Sequence, residues 1–444
     1  MKKYTTITFA CVALLLASCN NFLDIVPTGR VIPKKYSEFK ALIINAYSLV
    51  PEDRGLASFR SDELELSDKV ALDVAAYRDI YLWNDNMSDA STAEFNWKNY
   101  YHVIFLANHI IVEQNSISEG TPEEINQLVG EAYMLRAYSH FLLVNLFAKP
   151  YNEATASSTP GIPIKTTVSM DEVPVKKSVA EVYQQVLSDI AAAEAHLVVQ
   201  KWDKRYAFRF SLQAASALKA RVLLYMGKWS EAATASTQTI GMVGKLIDFN
   251  VSTTVLPTEV GSEENIMALE QVFTASTVGA VGVPISLINL YNKDDRRKQA
   301  YFKAITLEIF QVIKKGGEDY RCSFRLGEQY LIAAEAYAQS ENLEEGKAQL
   351  LELLKTRLRP TYFDIEKARI EALSKSDFLA EVALERQREL CFEGHRWFDL
   401  RRTTQPQIEH VFKGVSYLLL ANDGRYTIPI PREAVENNPN LSNN

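Results

Sequence analysis

The chain has 444 residues, 47% of them hydrophobic and 23% charged, with a formal net charge of -7. That is ample material for a large core, and the acidic balance, with no basic block, excludes a binder of phosphate backbones. Past the N-terminal run no second long apolar stretch occurs, and four cysteines are too few for a disulfide framework.

The N-terminus reads MKKYTTITFACVALLLASCNNFLDIVP. Lys2 and Lys3 precede a ten-residue run from Ile7 to Leu16, half of the roughly 20 residues a spanning helix needs, and the small residues Ala17 and Ser18 follow. Residues 1–18 are therefore expected to be a secretory signal. Leu16-Ala17-Ser18-Cys19 is similar to a bacterial lipobox, in which the cysteine becomes the mature N-terminus and carries acyl chains such as palmitate. Each buried methylene contributes about 0.8 kcal/mol, so a lipidated Cys19 would anchor the body to a membrane. Cys11 leaves with the signal, and the sequence leaves open whether Cys322 and Cys391 pair.

Residues 53–96, rich in Ser, Asp and aromatics, lack helical periodicity, as do the Pro/Ser/Thr stretch 150–174 and the mixed stretch 241–301. Between them helices dominate. A pair is expected from Glu131–Phe147 with Ser178–Leu197. Another comes from SLQAASALKARVLLYMGKW, where Leu212, Ala215, Leu218, Val222 and Tyr225 share one face, Gly227 ends the helix and Ser230 opens the next. Ala220, Leu223, Gly227 and Ala232 match a tetratricopeptide unit in spacing. RLGEQYLIAAEAYAQSENLEEGKAQLLELL repeats the arrangement with Glu341 and Gly346 where glycine and alanine are usual. The expected fold is one mostly helical domain of about four such pairs, packed against an irregular loop-rich face that carries the ligand site.

Several of these blocks carry a resemblance. The segment from Cys19 to Pro27, FNWKNYYHVIFLANHII, EAYMLRAYSHFLLVNLFAKPYN, SALKARVLLYMGKW, SEENIMALEQ, LYNKDDRRKQAYF, FRLGEQYLIAAEAY, ERQRELCFEGHRWFDLRR and YTIPIPREAVENNPNLSNN resemble, in order, blocks of the SusD/RagB family of outer-membrane nutrient-binding lipoproteins. The resemblance implies a SusD-like N-terminal half (19–240) and a C-terminal half (241–444). It also implies a cell-surface protein without catalysis or cofactor, which captures oligosaccharides or peptides for a SusC-like TonB-dependent transporter.

Sugar rings stack on flat aromatics and bond their hydroxyls to Asp, Asn and Arg. Trp97, Trp229 and Trp397 fall in helical blocks and are expected in the core, and Trp202 is expected to pack between repeats. Trp83, with Tyr77, Tyr81, Asn84 and Asp85 around it, is balanced between ligand platform and loop packing. Arg60 and Asp62 are further candidate contacts, as are Tyr291 and Asn292. Asp295 and Arg297 are expected to form an internal salt bridge. Glu385, Glu389 and Glu393, four residues apart, raise a glycoside hydrolase alternative, but carboxylates on one helix face cannot flank a sugar bond, and the interleaved arginines favour an ion-pair network. A tetratricopeptide adaptor would explain the repeats but not the long loops. No motif for zinc, another metal or a nucleotide occurs.

Overall fold

The computed structural model describes residues 33–66, 74–85, 91–169, 171–314 and 319–442. The expected signal and the lipidation site Cys19 lie outside them. The principal helices are α1 (Tyr36–Ser48), α2 (Lys98–Val112), α3 (Pro122–Phe147), α4 (Val179–His196), α5 (Leu212–Tyr225), α6 (Trp229–Val243), α7 (Leu326–Gln339), α8 (Leu343–Lys355), α9 (Pro360–Glu371), α10 (Lys375–Glu389) and α11 (Arg396–Arg402). Helix α3 packs on α2 and α4, α4 meets α5, α5 pairs with α6, α6 meets α7, and α7 pairs with α8. The pairs therefore stack in series, each covering its neighbour's apolar face.

The sequence sets the helix starts locally. The Thr121 hydroxyl accepts the Glu124 N–H at 3.2 Å while the Glu124 carboxylate accepts the Thr121 N–H at 3.0 Å, with Pro122 as the first helical residue. Ser178 and Glu181 form the same reciprocal cap at α4, at 3.2 and 2.8 Å. Both repeat turns need a left-handed residue: Gly227 has φ +68° and Glu341 has φ +65°. Glu341, which lacks glycine's freedom, is tied by Lys375 Nζ at 2.5 Å. A Cβ at Gly346 would stand 2.8 Å from the Ala334 carbonyl oxygen, so glycine is what lets α8 lie so close to α7. The two departures from the repeat pattern thus have separate causes.

Helix α3 buries every residue from Gln127 to Phe147 except Tyr133. Its charged members are paired inside: Glu131 accepts Arg209 Nε and Nη2 at 3.0 and 2.7 Å, and Arg136 donates to Asp189 at 2.9 and 2.6 Å. The α3 C-terminus is closed by Arg401 of α11, which donates to the carbonyls of Asn145 and Ala148, and by Ile428 N–H on Leu146 O at 3.1 Å.

The expected ion-pair network lies between α10 and the rest of the C-terminal half. Glu389 accepts Arg325 Nη1 (2.8 Å), Arg357 Nη2 (2.9 Å) and Arg297 Nη1 (2.8 Å). Glu393 pairs with Arg325 and Lys314, Glu385 with Arg297 and Arg388, and Arg297 with Asp295 at 2.7 Å. Glu385, Glu389 and Glu393 are 0, 0 and 3% exposed, and their carboxylates are taken up by arginine and lysine partners. Cys322 and Cys391 are both buried and unbridged.

The described strands form short antiparallel pairs, among them β1 (Pro160–Pro163) with β2 (Lys176–Ser178) and β3 (Ile408–Phe412) with β4 (Val415–Leu419). The aperiodic stretches hold short helices, such as Asp53–Ser58, Val74–Tyr81 and Ile285–Ile288. Among the described residues no helix is long and apolar enough to cross a membrane.

Candidate functional site

A cleft of about 600 Å³ opens where the start of α2, β1 and the C-terminal segment converge. Trp97, the residue before α2, lies in its lining with Tyr101, Pro163, Pro174 and Pro431. Trp97 is half-buried, wedged edge-on against Phe147 with ring centres 5.2 Å apart and tilted against Tyr101 at 5.0 Å. The Tyr101 hydroxyl donates to Pro163 O at 2.8 Å, tying the aromatic wall to β1.

Polar groups rim this apolar wall. Glu94, Lys98, Glu433 and Asn437 are exposed, with Asn96, Asn99 and Asn438 partly so. Asn96 is fixed by buried Asp53, which accepts its backbone N–H at 2.7 Å and its side-chain amide at 2.9 Å, and Asn96 Oδ1 accepts from Asn99 at 3.1 Å. Burial pushes the Asp53 carboxyl up to about 7 despite those bonds. An aromatic wall with fixed amides and exposed carboxylates beside it matches a sugar ring, which has an apolar C–H face and a hydroxyl rim. Among the described residues no group of three or more His, Cys, Asp or Glu is placed to hold a metal ion.

The Trp83 cluster is organised differently. Trp83 and Tyr81 are 2 and 1% exposed and sandwich His410 of β3, with ring centres 4.2 and 3.9 Å from the imidazole. Trp83 holds φ +54°, a strained position for a bulky residue, and donates Nε1–H to Arg60 O at 3.0 Å. Arg60, fully buried over the Trp397 ring, donates to Asp85 at 2.6 Å and to Arg425 O at 2.6 Å. Tyr77 stacks on Phe59 at 4.4 Å, Asp62 takes two 2.7 Å bonds from Arg396, and Asn84 donates to Asp79 at 3.3 Å. Buried Tyr291 donates to Arg388 O at 2.7 Å, and Asn292 is exposed beside a separate cleft rich in ion pairs. So Trp83, Tyr81, Arg60 and Tyr291 are corrected from candidate contacts to packing, because no face of them is open. Asp85 lines a second cleft, next to the first.

Trp397 is in the core as expected, and Trp202 packs under Arg209, 4.1 Å from the guanidinium, and donates to Phe210 O. Trp97 departs from the core expectation. The sequence places it inside a helical block, whereas it stands just ahead of the helix, and Pro163 and Pro431, which line the cleft with it, come from distant segments.

Two family descriptions match the chain: "starch-binding associating with outer membrane" over residues 21–224 and "SusD family" over residues 307–444. A SusD-like protein, P38, of Formosa agariphila is 28% identical over 258 residues, covering 54% of this chain and 46% of its own, so the chain spans about half the length of that curated relative. A SusD superfamily protein of Bacteroides thetaiotaomicron has the same fold at TM-score 0.75 and 23% identity, covering 91% of this chain and 98% of that one. One from Bacteroides vulgatus gives 0.74 and 20%, covering 92 and 98%. A laminarin-binding SusD-like protein gives 0.60 and 19%, covering 84 and 92%.

Proposed function

The chain belongs to the SusD family, and from that premise we propose that it is a non-catalytic receptor, lipid-anchored through Cys19 at the outer face of the outer membrane, that captures oligosaccharides in the Trp97 cleft. The observation carrying this reading is the half-buried Trp97 beside a rim of amides and carboxylates. A neighbour of the same fold that binds laminarin, a glycan, supports it.

Losing a stacked aromatic at the centre of a contact typically costs more than about 1 kcal/mol. Trp97→Ala is therefore expected to weaken saccharide binding about fivefold or more. Because Trp97 also supports Phe147, Asn437→Ala supplies the control: its side chain is exposed, so it should lower affinity with a nearly unchanged thermal midpoint. Calorimetric titration of the mature domain against glycan and peptide pools reads both. Capture of peptides alone, or saccharide binding indifferent to both variants, rejects the cleft.

A captured ligand must still cross the membrane, and in this reading a SusC-like TonB-dependent transporter takes it, with the chain as its lid. Mild detergent extraction from cells making both proteins should recover them in comparable amounts. Recovery of this chain alone, where other outer-membrane complexes survive, removes the transporter from the reading.

A further inference from the structure

The rim of the Trp97 cleft is organised from beneath. Asp53, 2% exposed, accepts the Asn96 backbone N–H on Oδ2 at 2.7 Å and the Asn96 side-chain amide on Oδ1 at 2.9 Å. An ionised carboxylate only accepts, so the Asn96 group turned toward it is the NH2 and Asn96 Oδ1 faces the other way. There it accepts from Asn99 Nδ2 at 3.1 Å. By the same reasoning Asn99 turns its NH2 inward. Its Oδ1 and its second N–H then have no partner among the described residues, on a partly exposed side chain that lines the cleft. One buried charge thus sets the polarity of two amides in series.

Removing that charge reverses the series. If Asp53 gains a proton or is replaced by Asn, one of its two terminal atoms still accepts the Asn96 backbone N–H and the other donates. Asn96 then turns its Oδ1 inward, its NH2 points at Asn99, and Asn99 gives up its Oδ1 to that group. The rim offers N–H groups where it had offered an acceptor and a donor. An amide with one acceptor and one donor free matches two adjacent sugar hydroxyls, one donating and the next accepting, whereas donors alone satisfy half of the pair.

We infer that Asp53 is the positioning residue of the saccharide cleft, and that the cleft takes sugars with two adjacent free hydroxyls, read by Asn99 in the orientation that Asp53 imposes. This deepens the proposed capture and rests on it. Around Asp53 stand Glu270 and the Tyr100 hydroxyl of α2, and behind them Arg54 and the Tyr138 hydroxyl of α3, both bonded to Glu270. Burial, opposed by the Asn96 bonds and aided by Glu270, raises the Asp53 carboxyl to about 7. Binding that needs the ionised form is therefore full above that pH and lost as pH falls through it.

The test is calorimetry of the mature domain with xylan and cellulose oligomers, against the same oligomers with their adjacent ring hydroxyls methylated. Unmodified oligomers should bind at least about fivefold more tightly. Asp53→Asn and Asn99→Ala should each weaken that binding about fivefold, and the double variant no more than either alone, because both remove the same bonds. Between about pH 8 and about pH 6 the native affinity should fall about threefold or more, and the fall should vanish in both variants. Should Asp53→Asn not fold, the native chain and Asn99→Ala carry the pH comparison by themselves. Additive losses in the double variant, a pH profile that Asn99→Ala leaves unchanged, or equal binding of methylated oligomers overturns the inference while Trp97-dependent capture stands. Failure of every saccharide in the glycan pool to bind overturns the proposed function itself.

Discussion

Glu389→Ala is expected to cost about 3–5 kcal/mol of folding stability, a large share of the 5–15 kcal/mol that typically holds a domain together. The carboxylate is fully buried and accepts from Arg297, Arg325 and Arg357. Burial alone would push its carboxyl up, but Arg357, Arg325 and Arg297 outweigh burial and hold it well below the ordinary range. Truncation removes the shared counter-charge and leaves three buried guanidiniums competing for Glu264, Glu385 and Glu393. Glu389→Gln keeps the volume and loses the charge, so it should cost nearly as much and separate electrostatics from cavity. Urea unfolding of both variants checks this. A loss under about 1 kcal/mol in either would mean that α10 is docked by its apolar face instead, through Phe378 and Val382.

What was legible in the sequence was written over short spans. The repeat turns at Gly227 and Glu341 and the acid–arginine alternation from Glu385 to Arg402 each depend on residues within a few turns, while the Thr121–Glu124 cap starts α3 at Pro122, ahead of the expected Glu131. The two tryptophans were not settled by the sequence, Trp83 left between platform and packing and Trp97 expected in the core, for the opposite reason. Trp83 and Trp97 both sit among aromatics and amides, and nothing local tells a platform from a stack. His410, whose ring nitrogens sit 2.6 Å from Tyr81 O and 2.8 Å from Ser61 O, fills the space beside Trp83 from more than three hundred residues away. Among the described residues no equivalent partner stacks on Trp97, which stays partly exposed. Exposure of an aromatic is settled by the far end of the chain.

Stability is expected to hold level from pH 7 to about pH 4.5 and then to collapse, because two kinds of buried group titrate in opposite directions. Burial, with Arg136 adding to it, pushes His140 down to about 3, and burial with Arg54 and Arg221 holds His395 well below 6.5. His395 Nε2 stands 3.2 Å from an Arg54 nitrogen and His140 Nε2 accepts the Lys165 N–H at 3.3 Å, so both rings use a lone pair that a proton would remove. As pH falls below 6.5 the unfolded chain protonates these histidines and the folded one does not, a loss of about 1.4 kcal/mol per pH unit for each. Asp53 and Glu63 run the other way. Burial raises both to about 7, so below that the folded state holds two protons that the unfolded chain lacks until about pH 4, and stability rises by the same slope. Raised Glu131 and Asp189 add to the gain and lowered His410 adds to the loss. The opposing slopes offset each other until the unfolded carboxylates protonate. Below about pH 4.5 the gain stops, and Glu389, Glu393 and Asp399, all lowered because their arginine or lysine partners outweigh burial, begin to lose their pairs while His140 still resists its proton. Several groups then contribute about 1.4 kcal/mol per pH unit each, enough together to exhaust a typical domain's stability within about two units. Urea midpoints from pH 8 to 3 at constant ionic strength check the shape. A steady decline from pH 6.5 would mean that Asp53 and Glu63 stay ionised in the fold, and an intact midpoint at pH 3 would mean that the arginine cluster does not depend on its carboxylates.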